Sequence, residues 1–411
     1  MPERNGYFSK YTKICTEVLM GGFKLKNILY ISLIDWFWIK QRPQHISEFL
    51  SRNNKITYVS IRSWRNNTNV NIAHSKNDYN INKSNFNVNP NMNIIRKRLI
   101  PKENSCKYIK NINDKIMSNI LKRLDKENNY DVIIITHPKQ YDIIPKNFFN
   151  SKLFIYDCMD NYKCWPNFNK NKLINNEKKI VESSKYVITT SQDLYNEIIK
   201  CNPHLISKIH VVNNGVDIET FDINKINKVD DVDIFKQNNK KKVGYIGTIS
   251  IWMDLDLIKN VALKNSNIDF YIIGPVEKGT NLEKYSDIEN IIFTGSQPYY
   301  SIPNILNDLD VCIMPFKKTD LVKSVNPVKI YEYLAMGKPV IALRYDETEK
   351  FGDLIYTYET QKEFENCLNK ILHQQEEKSV MDKRKRFAKQ NSWKCRTNQI
   401  EKFINEGMKN K

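Results

Sequence analysis

Two successive trains of short apolar runs, each alternating with segments of helical period, constrain this chain more than anything else in it. The first train sets strands at Lys26–Leu33, Ile56–Ile61, Asp131–Thr136, Leu153–Tyr156, Tyr186–Thr190 and Ile209–Asn213. Short runs of about four to eight β-branched and aromatic residues, with little polar alternation, fit strands covered on both faces, as a parallel sheet requires. Between them, Pro43–Arg52, Tyr108–Lys126, Lys172–Ser184 and Gln192–Lys200 read as helices. In the second of these, Ile109, Ile112, Ile116 and Ile120 fall three or four residues apart and so share one face. Residues 62–104 are polar and Asn-rich and predict loops with some edge strand.

After a charged stretch without Gly or Pro, residues 222–241, the alternation restarts. Strands are expected at Val243–Ile246, Asp269–Ile273, Ile291–Thr294, Val311–Met314 and Val340–Leu343. Helices are expected at Leu255–Lys264, Tyr299–Asn307, Pro327–Ala335 and Gln361–His373, with Lys383–Phe403 as a tail in two pieces. The fold class is α/β, two Rossmann-like units rather than one large sheet. The domain plan is an extension at 1–25, a domain at 26–221, a linker at 222–241, a second domain at 242–380 and a helical tail at 381–411.

Charge separates the two units. The chain of 411 residues carries 64 Lys+Arg against 46 Asp+Glu; residues 1–200 hold 33 basic and 17 acidic side chains, residues 201–411 hold 31 and 29. An excess confined to one half points to an anionic partner for that half. Nucleic acid is disfavoured, because the basic residues are scattered along Asn-rich loops without a recognition motif. Hydrophobic residues at 41% exclude disorder throughout. No apolar run has the length of a membrane span, and the first residues lack the pattern of a signal peptide. Eight cysteines without a CxxC pair and six scattered histidines predict a reduced, cytoplasmic protein without a metal site.

The most informative segment is Ser324-Val-Asn-Pro-Val-Lys-Ile-Tyr-Glu-Tyr-Leu-Ala-Met-Gly-Lys-Pro-Val340. Asn326 reads as an N-cap, Pro327 as the first helical residue, and Gly337 with Pro339 as the stop before a strand. A helix start offers free N–H groups and the positive end of the dipole, a place for an anion. Lys329 and Glu332 lie one turn apart on one face, where they form either a surface ion pair or, with a ligand, a cation for phosphate and an acceptor for a ribose diol.

This segment resembles the donor-binding motif of GT-B glycosyltransferases, particularly the retaining family 4. Further segments match the same family in order: Val212-Asn-Asn-Gly-Val-Asp217, Val243-Gly-Tyr-Ile-Gly-Thr248, Ile273-Gly-Pro275, Phe293-Thr-Gly295 and Asp310-Val-Cys-Ile-Met-Pro-Phe316. Gln41-Arg-Pro-Gln-His-Ile46 and Tyr156-Asp-Cys-Met-Asp160 resemble a bacterial subgroup that makes cell-surface polysaccharides, the teichuronic-acid type among them. The resemblance covers about residues 26–400. It implies two Rossmann-like domains facing each other across a cleft, with C-terminal helices packing back on the first. It also implies sugar transfer from a UDP- or GDP-linked donor to a glycan or lipid-linked acceptor, with retention of configuration. The Asp-x-Asp spacing of Asp254-Leu-Asp256 falls at a helix start and does not read as a metal motif, so no obligatory metal is expected.

Carried over by position, Glu332 would bind the donor ribose, and Asn326, Pro327, Val328 and Lys329 would face the diphosphate. Gly247 and Thr248 would form the loop beneath the donor. The family's first acid falls on Ser324, and the usual cations after the glycine loop are absent from Ile249-Ser-Ile-Trp-Met-Asp254. Lys317, Lys323 and Lys329 are the replacement candidates for neutralising the diphosphate, with ordinary solvated lysine the alternative for the first two. On the acceptor side, Asp160 is expected to hydrogen-bond donor sugar or acceptor hydroxyl, or else to cap the next loop, and Asp157 reads the same way. His137 sits at a strand end. Arg42 and His45 open the first helix and either touch substrate or, for Arg42, make a structural salt bridge. Trp36 and Trp38 form a sugar-stacking platform, an interfacial anchor or a lid on the core. Competing readings are a sugar-nucleotide 2-epimerase, which needs more carboxylates at the cleft, and a non-catalytic scaffold of the same fold. The basic first half, the acceptor side by the resemblance, is expected to meet an anionic membrane face or a phosphate-bearing lipid carrier.

Overall fold

A computed structural model describes residues 25–61, 83–103, 105–165, 169–226, 233–374 and 376–409. The first train forms an eight-stranded sheet in the order β3-β4-β2-β1-β5-β6-β7-β8. Its strands are β1 (Asn27–Ile31), β2 (Lys55–Ile61), β3 (Asn85–Asn89), β4 (Met92–Lys97), β5 (Val132–Ile135), β6 (Leu153–Cys158), β7 (Tyr186–Thr189) and β8 (Ile209–Val211). All pairings are parallel except β3 with β4. Alternate residues feed two separate cores: Leu29 and Ile31 join Ile133 and Ile135 on one face, Ile28 and Tyr30 join Val132 and Ile134 on the other. That two-sided burial is why these runs carry no polar alternation. The edge hairpin β3–β4 lies in the Asn-rich region; its Asn side chains belong to a strand whose outer face meets water. Residues 62–82, the part of the stretch 62–104 that precedes the hairpin, lie outside the described residues, as do 1–24 of the N-terminal extension and 227–232 of the linker.

The second train forms a six-stranded parallel sheet, β11-β10-β9-β12-β13-β14. It comprises β9 (Lys241–Ile246), β10 (Ile268–Ile273), β11 (Ile291–Gly295), β12 (Val311–Met314), β13 (Val340–Leu343) and β14 (Tyr356–Tyr358). The short β14 escapes sequence reading because three residues carry no period. The longer helices are α1 (Arg42–Leu50), α2 (Lys107–Asn128), α3 (Lys170–Ser183), α4 (Gln192–Cys201), α5 (Leu255–Lys264), α6 (Ile302–Asp308), α7 (Val328–Ala335), α8 (Gln361–His373), α9 (Lys378–Gln390) and α10 (Trp393–Lys409).

The two tail pieces go to different domains. α9 packs on the second: Ala388 joins its core, and the Arg384 guanidinium donates to the Leu354 and Gly337 carbonyls. Only α10 crosses to the first domain, where Trp393, Ile400 and Ile404 enter the core beneath α1. The passage occurs at Asn391–Trp393, which pairs with Val216: the Val216 N–H donates to Asn391 O at 3.2 Å and the Trp393 N–H to Val216 O at 2.9 Å. A side chain at Gly215 would meet Asn391 O at 2.7 Å, so only glycine lets the two crossings lie side by side.

In each sheet the strand order reverses once, between β1 and β5 and between β9 and β12. A crevice opens at the carboxyl ends of the strands at such a point, and ligands of open α/β sheets bind there. The two crevices face each other.

Candidate active site

A cavity of about 470 Å³ lies between them. The first domain supplies the loops after β1, β5 and β6 and the residue Asn214; the second supplies Gly247, Thr248, Phe316 and the segment from Leu321 to Lys329. Of the residues singled out in the sequence, Trp38, Arg42, His137, Asp160, Gly247, Thr248, Asn326, Val328 and Lys329 border this space, while Trp36, His45, Asp157, Lys317, Lys323, Ser324, Pro327 and Glu332 do not line it.

On the first domain, the loop after β1 turns back into α1 through Arg42. Its guanidinium is buried and paired with Asp157, Nε to both carboxylate oxygens at 3.0 and 2.9 Å. Nη1 donates to the Val212 and Asn213 carbonyls and to Asn214 Oδ1. Asp157 also accepts from the Tyr30 hydroxyl at 3.2 Å. Asp157 is held by these bonds at a buried position off the cavity, which corrects it as an acceptor ligand; Arg42 makes the structural salt bridge, while it also borders the cavity and its Nη2 makes no hydrogen bond. His45 lies off the cavity, fully buried, stacked on Trp393 at 4.9 Å and 3.4 Å from the Tyr299 hydroxyl. Trp36 is likewise core, edge-on to Tyr58 at 5.1 Å, while Trp38 faces the cavity. The turn over residues 36–39 sends the two indoles in different directions.

His137 follows β5 and caps the turn after it: Nδ1 accepts from the Lys139 N–H at 2.9 Å. Burial pushes its imidazole down to about 3, so it stays neutral at any physiological pH. Asp160 is different. It sits half-buried beyond the end of β6, its carboxyl bordering the cavity, and desolvation raises it to about 7. Its carbonyl accepts from Tyr162 N–H, but no described side chain or backbone group hydrogen-bonds the carboxyl. A desolvated carboxyl without protein partners is suited to a hydroxyl or to proton exchange.

On the second domain, Gly247 ends β9 where β10 comes closest. A Cβ on Gly274, at φ +144°, would stand 1.9 Å from Gly247 O. Tyr245 supports the loop by donating to Thr248 O at 3.0 Å. Helix α7 begins at Val328, one residue later than expected, with Pro327 at the cap and buried away from the cavity. Asn326 does not cap it: the Asn326 side chain accepts from Asn214 N–H at 2.8 Å and donates to Glu347 at 2.8 Å. The helix start therefore keeps its N–H groups free of a side-chain cap.

Lys329 reaches the cavity and pairs with Glu332 at 2.8 Å. Glu332 is buried, its carboxyl raised by desolvation against the pull of Lys329, and its Oε1 has no hydrogen-bond partner. The other two candidate cations are corrected. Lys317 is exposed and uses only its backbone N–H, to Trp252 O, while Lys323 points outward to Asp320 at 3.2 Å. Ser324 is also corrected: fully buried, it donates to Asp193 on α4 of the first domain and accepts from Asn161. Its hydroxyl joins the domains instead of touching a sugar.

Sequence reasoning missed Lys40, whose buried ammonium pairs with Glu48 at 2.6 Å at the cavity's edge. It also missed the aromatic wall of Tyr245, Trp252 and Phe316, and Trp165, which meets Trp252 edge-on at 5.7 Å across the domains. A tryptophan in a loop carries no period, so nothing local marks it. Among the described residues, no group of three or more His, Cys, Asp or Glu could hold a metal ion, and no helix is long and apolar enough to cross a membrane.

Two facing Rossmann-like domains with a nucleotide-sized cleft define the GT-B class of protein, and 240–374 match the family model described as glycosyl transferases group 1. The fold is therefore GT-B, and the second domain is a glycosyl transferases group 1 domain. It is 29% identical over 264 residues to the putative teichuronic acid biosynthesis glycosyltransferase TuaH of Bacillus subtilis strain 168, a stretch that is 61% of this chain and 66% of that relative. Among solved structures, it resembles sucrose-phosphate synthase from Thermosynechococcus elongatus, with TM-score 0.68 and 13% identity over 94% of this chain and all of the other. It likewise resembles Anabaena HepE in complex with UDP and glucose, with TM-score 0.67 and 12% identity over 93% of this chain and all of the other. At such identities the structural likenesses establish the fold.

Proposed function

We propose that the protein moves a sugar from a UDP- or GDP-linked donor, held by the second domain, to a hydroxyl of a glycan or lipid-linked acceptor presented by the first, in the making of a cell-surface polysaccharide. The observation that carries this reading is the placement of the unpartnered Asp160 carboxyl and the uncapped start of α7 on the same cavity. The diphosphate lies against the α7 start with Lys329 beside it, so leaving-group charge meets a helix dipole and an ammonium. The orphaned Oε1 of Glu332 accepts from the donor ribose, which relieves a buried unsatisfied oxygen. Asp160, as carboxylate, accepts a hydrogen bond from the incoming hydroxyl or from the donor sugar. Closure of the two domains excludes water and suppresses donor hydrolysis.

Transfer with retention and without an obligatory metal belongs to the same proposal, with Lys329 and the helix start neutralising the diphosphate. The protein acts at the cytoplasmic face of a membrane, where the basic first half attracts anionic lipid or a phosphate-bearing carrier. A panel of UDP-, GDP- and dTDP-sugars, offered with envelope extract as acceptor source, tests the reading. The expected result is turnover of a UDP- or GDP-sugar that survives EDTA and a tenfold or greater loss of nucleotide affinity in Glu332→Ala, about the effect of one lost charged hydrogen bond. No turnover of any donor would end it. Co-sedimentation with anionic but not neutral vesicles, lost at high salt, is expected of the membrane contact.

A further inference from the structure

Two of the residues that lead into α7, Ser324 and Asn326, are gripped by the other domain. Asn214, at the end of the first domain, engages every one of its polar atoms. Its N–H donates to Asn326 Oδ1 and its Nδ2 to Asn326 O, both at 2.8 Å; its Oδ1 accepts from Arg42 at 3.3 Å and its carbonyl from Arg396 Nε at 2.9 Å. Beyond it, Asn326 Nδ2 donates to Glu347 Oε2 at 2.8 Å, and Glu347 Oε1 accepts the Gln192 N–H at the start of α4 at 2.9 Å. Ser324 adds its bond to Asp193 on the same helix. The chain of bonds thus leaves the first domain at Arg42, passes through the lead of the donor helix, and re-enters the first domain at α4. Glu347 has no exposed surface; besides these two donors it pairs with Lys350 of its own domain, so its carboxyl is held from both sides.

We propose that Asn214, backed by Glu347, is a positioning residue for the transfer reaction: a clasp that fixes the start of the donor helix α7 against Asp160 when the domains are closed. This rests on the donor-site reading given above. The lead of α7 keeps its own-domain bonds to Glu347 without Asn214, so nucleotide binding persists when the clasp is cut. What is lost is the register between the carboxyl on one domain and the diphosphate on the other, and misplacement of reacting groups by about 1 Å costs about 100-fold in rate.

The test compares wild type with Asn214→Ala and with Glu347→Gln, which lies off the cavity. Donor turnover, UDP and GDP binding by titration calorimetry, and the radius of gyration by small-angle scattering are measured on the full chain. The expected result for Asn214→Ala is a kcat about 10–100-fold lower, nucleotide affinity within about threefold of wild type, and a larger radius. Glu347→Gln is expected to move the same quantities in the same direction, by less, and serves if the first variant does not fold. Unchanged kcat and radius in the folded variants overturn the clasp. Parallel loss of kcat and nucleotide affinity overturns it too, since Asn214 would then build the donor pocket itself. If the wild type binds and turns over no nucleotide-sugar, the donor reading fails, and equal radii for wild type and variants then reject the clasp separately.

Discussion

The two crevices that face each other differ in how their polar groups are used. In the first domain, Arg42 and Asp157 are locked together and to the chain around them, and His137 is held neutral by burial and occupied as a cap. Asp160 is the exception among these. In the second, the start of α7 is uncapped, Glu332 keeps an oxygen without partner, and the glycine loop leaves backbone close to the cavity. Asp160 aside, the polar groups of one side are satisfied within the chain, while the other side leaves several of its own open. Matching motifs in sequence therefore does not equate roles, because a charged residue at a strand end serves architecture wherever a buried counter-charge is already in place.

The largest effect that separates the two sides is Arg42→Ala. It strands Asp157 as a buried unpaired charge and is expected to cost about 3–5 kcal/mol of folding stability in denaturant titration. Arg42→Lys is expected to be poorly tolerated as well, because an ammonium cannot reproduce the forked contact. Ordinary stability in either variant would move Arg42 from architecture to function.

Gly274→Ala probes the other crevice. The new methyl meets Gly247 O and the backbone angle is unfavourable to any side chain, so a cost of about 1–3 kcal/mol is expected from the angle alone. The displaced Gly247 loop should weaken nucleotide binding more than Arg42→Lys does; equal binding would remove the loop from the donor site.

Asp160→Asn is expected to lower turnover by about 100-fold, with the pH dependence of the wild type near pH 7 disappearing. Its stability effect has the opposite sign. The folded carboxyl holds its proton up to about pH 7 while the unfolded one loses it near the ordinary Asp value, so the native state binds more protons between these limits. Wild-type stability falls as pH rises through that window. Asp160→Asn is accordingly expected to raise Tm at pH 8 and to leave it nearly unchanged at pH 4; an unchanged Tm at pH 8 would place the carboxyl in water.

The smallest effects belong to Lys317→Ala and Lys323→Ala, both expected within about 0.5 kcal/mol in stability and unchanged in nucleotide affinity. Lys329→Ala, in contrast, should lose affinity. If Lys323→Ala loses as much, the exposed pair with Asp320 is rearranged by the donor.

Most of the architecture was legible because strands covered on both faces leave long apolar runs and helices leave a period. The exceptions are instructive: β14 is three residues long, and β3 and β4 hide among asparagines at a sheet edge. Helix α7 was legible to within a residue from Pro327 and Gly337, whose backbone constraints act locally. The burial of Ser324, the use of Asn326 across the interface and the inward turn of Trp38 in place of Trp36 were not. Each depends on residues more than a hundred positions away or on loop direction, and neither leaves a mark on local spacing.

The side-by-side passage of the chain at Gly215–Val216 and Asn391–Trp393 has a mechanical consequence. Two covalent connections joined by hydrogen bonds form a single seam, and one domain can swing about that seam far more easily than it can twist or slide. Opening and closing thus reduce to roughly one degree of freedom, like a book on its spine. Asn214 sits one residue from the spine, where small angular changes move it least and where its bonds set the angle at which the pages rest.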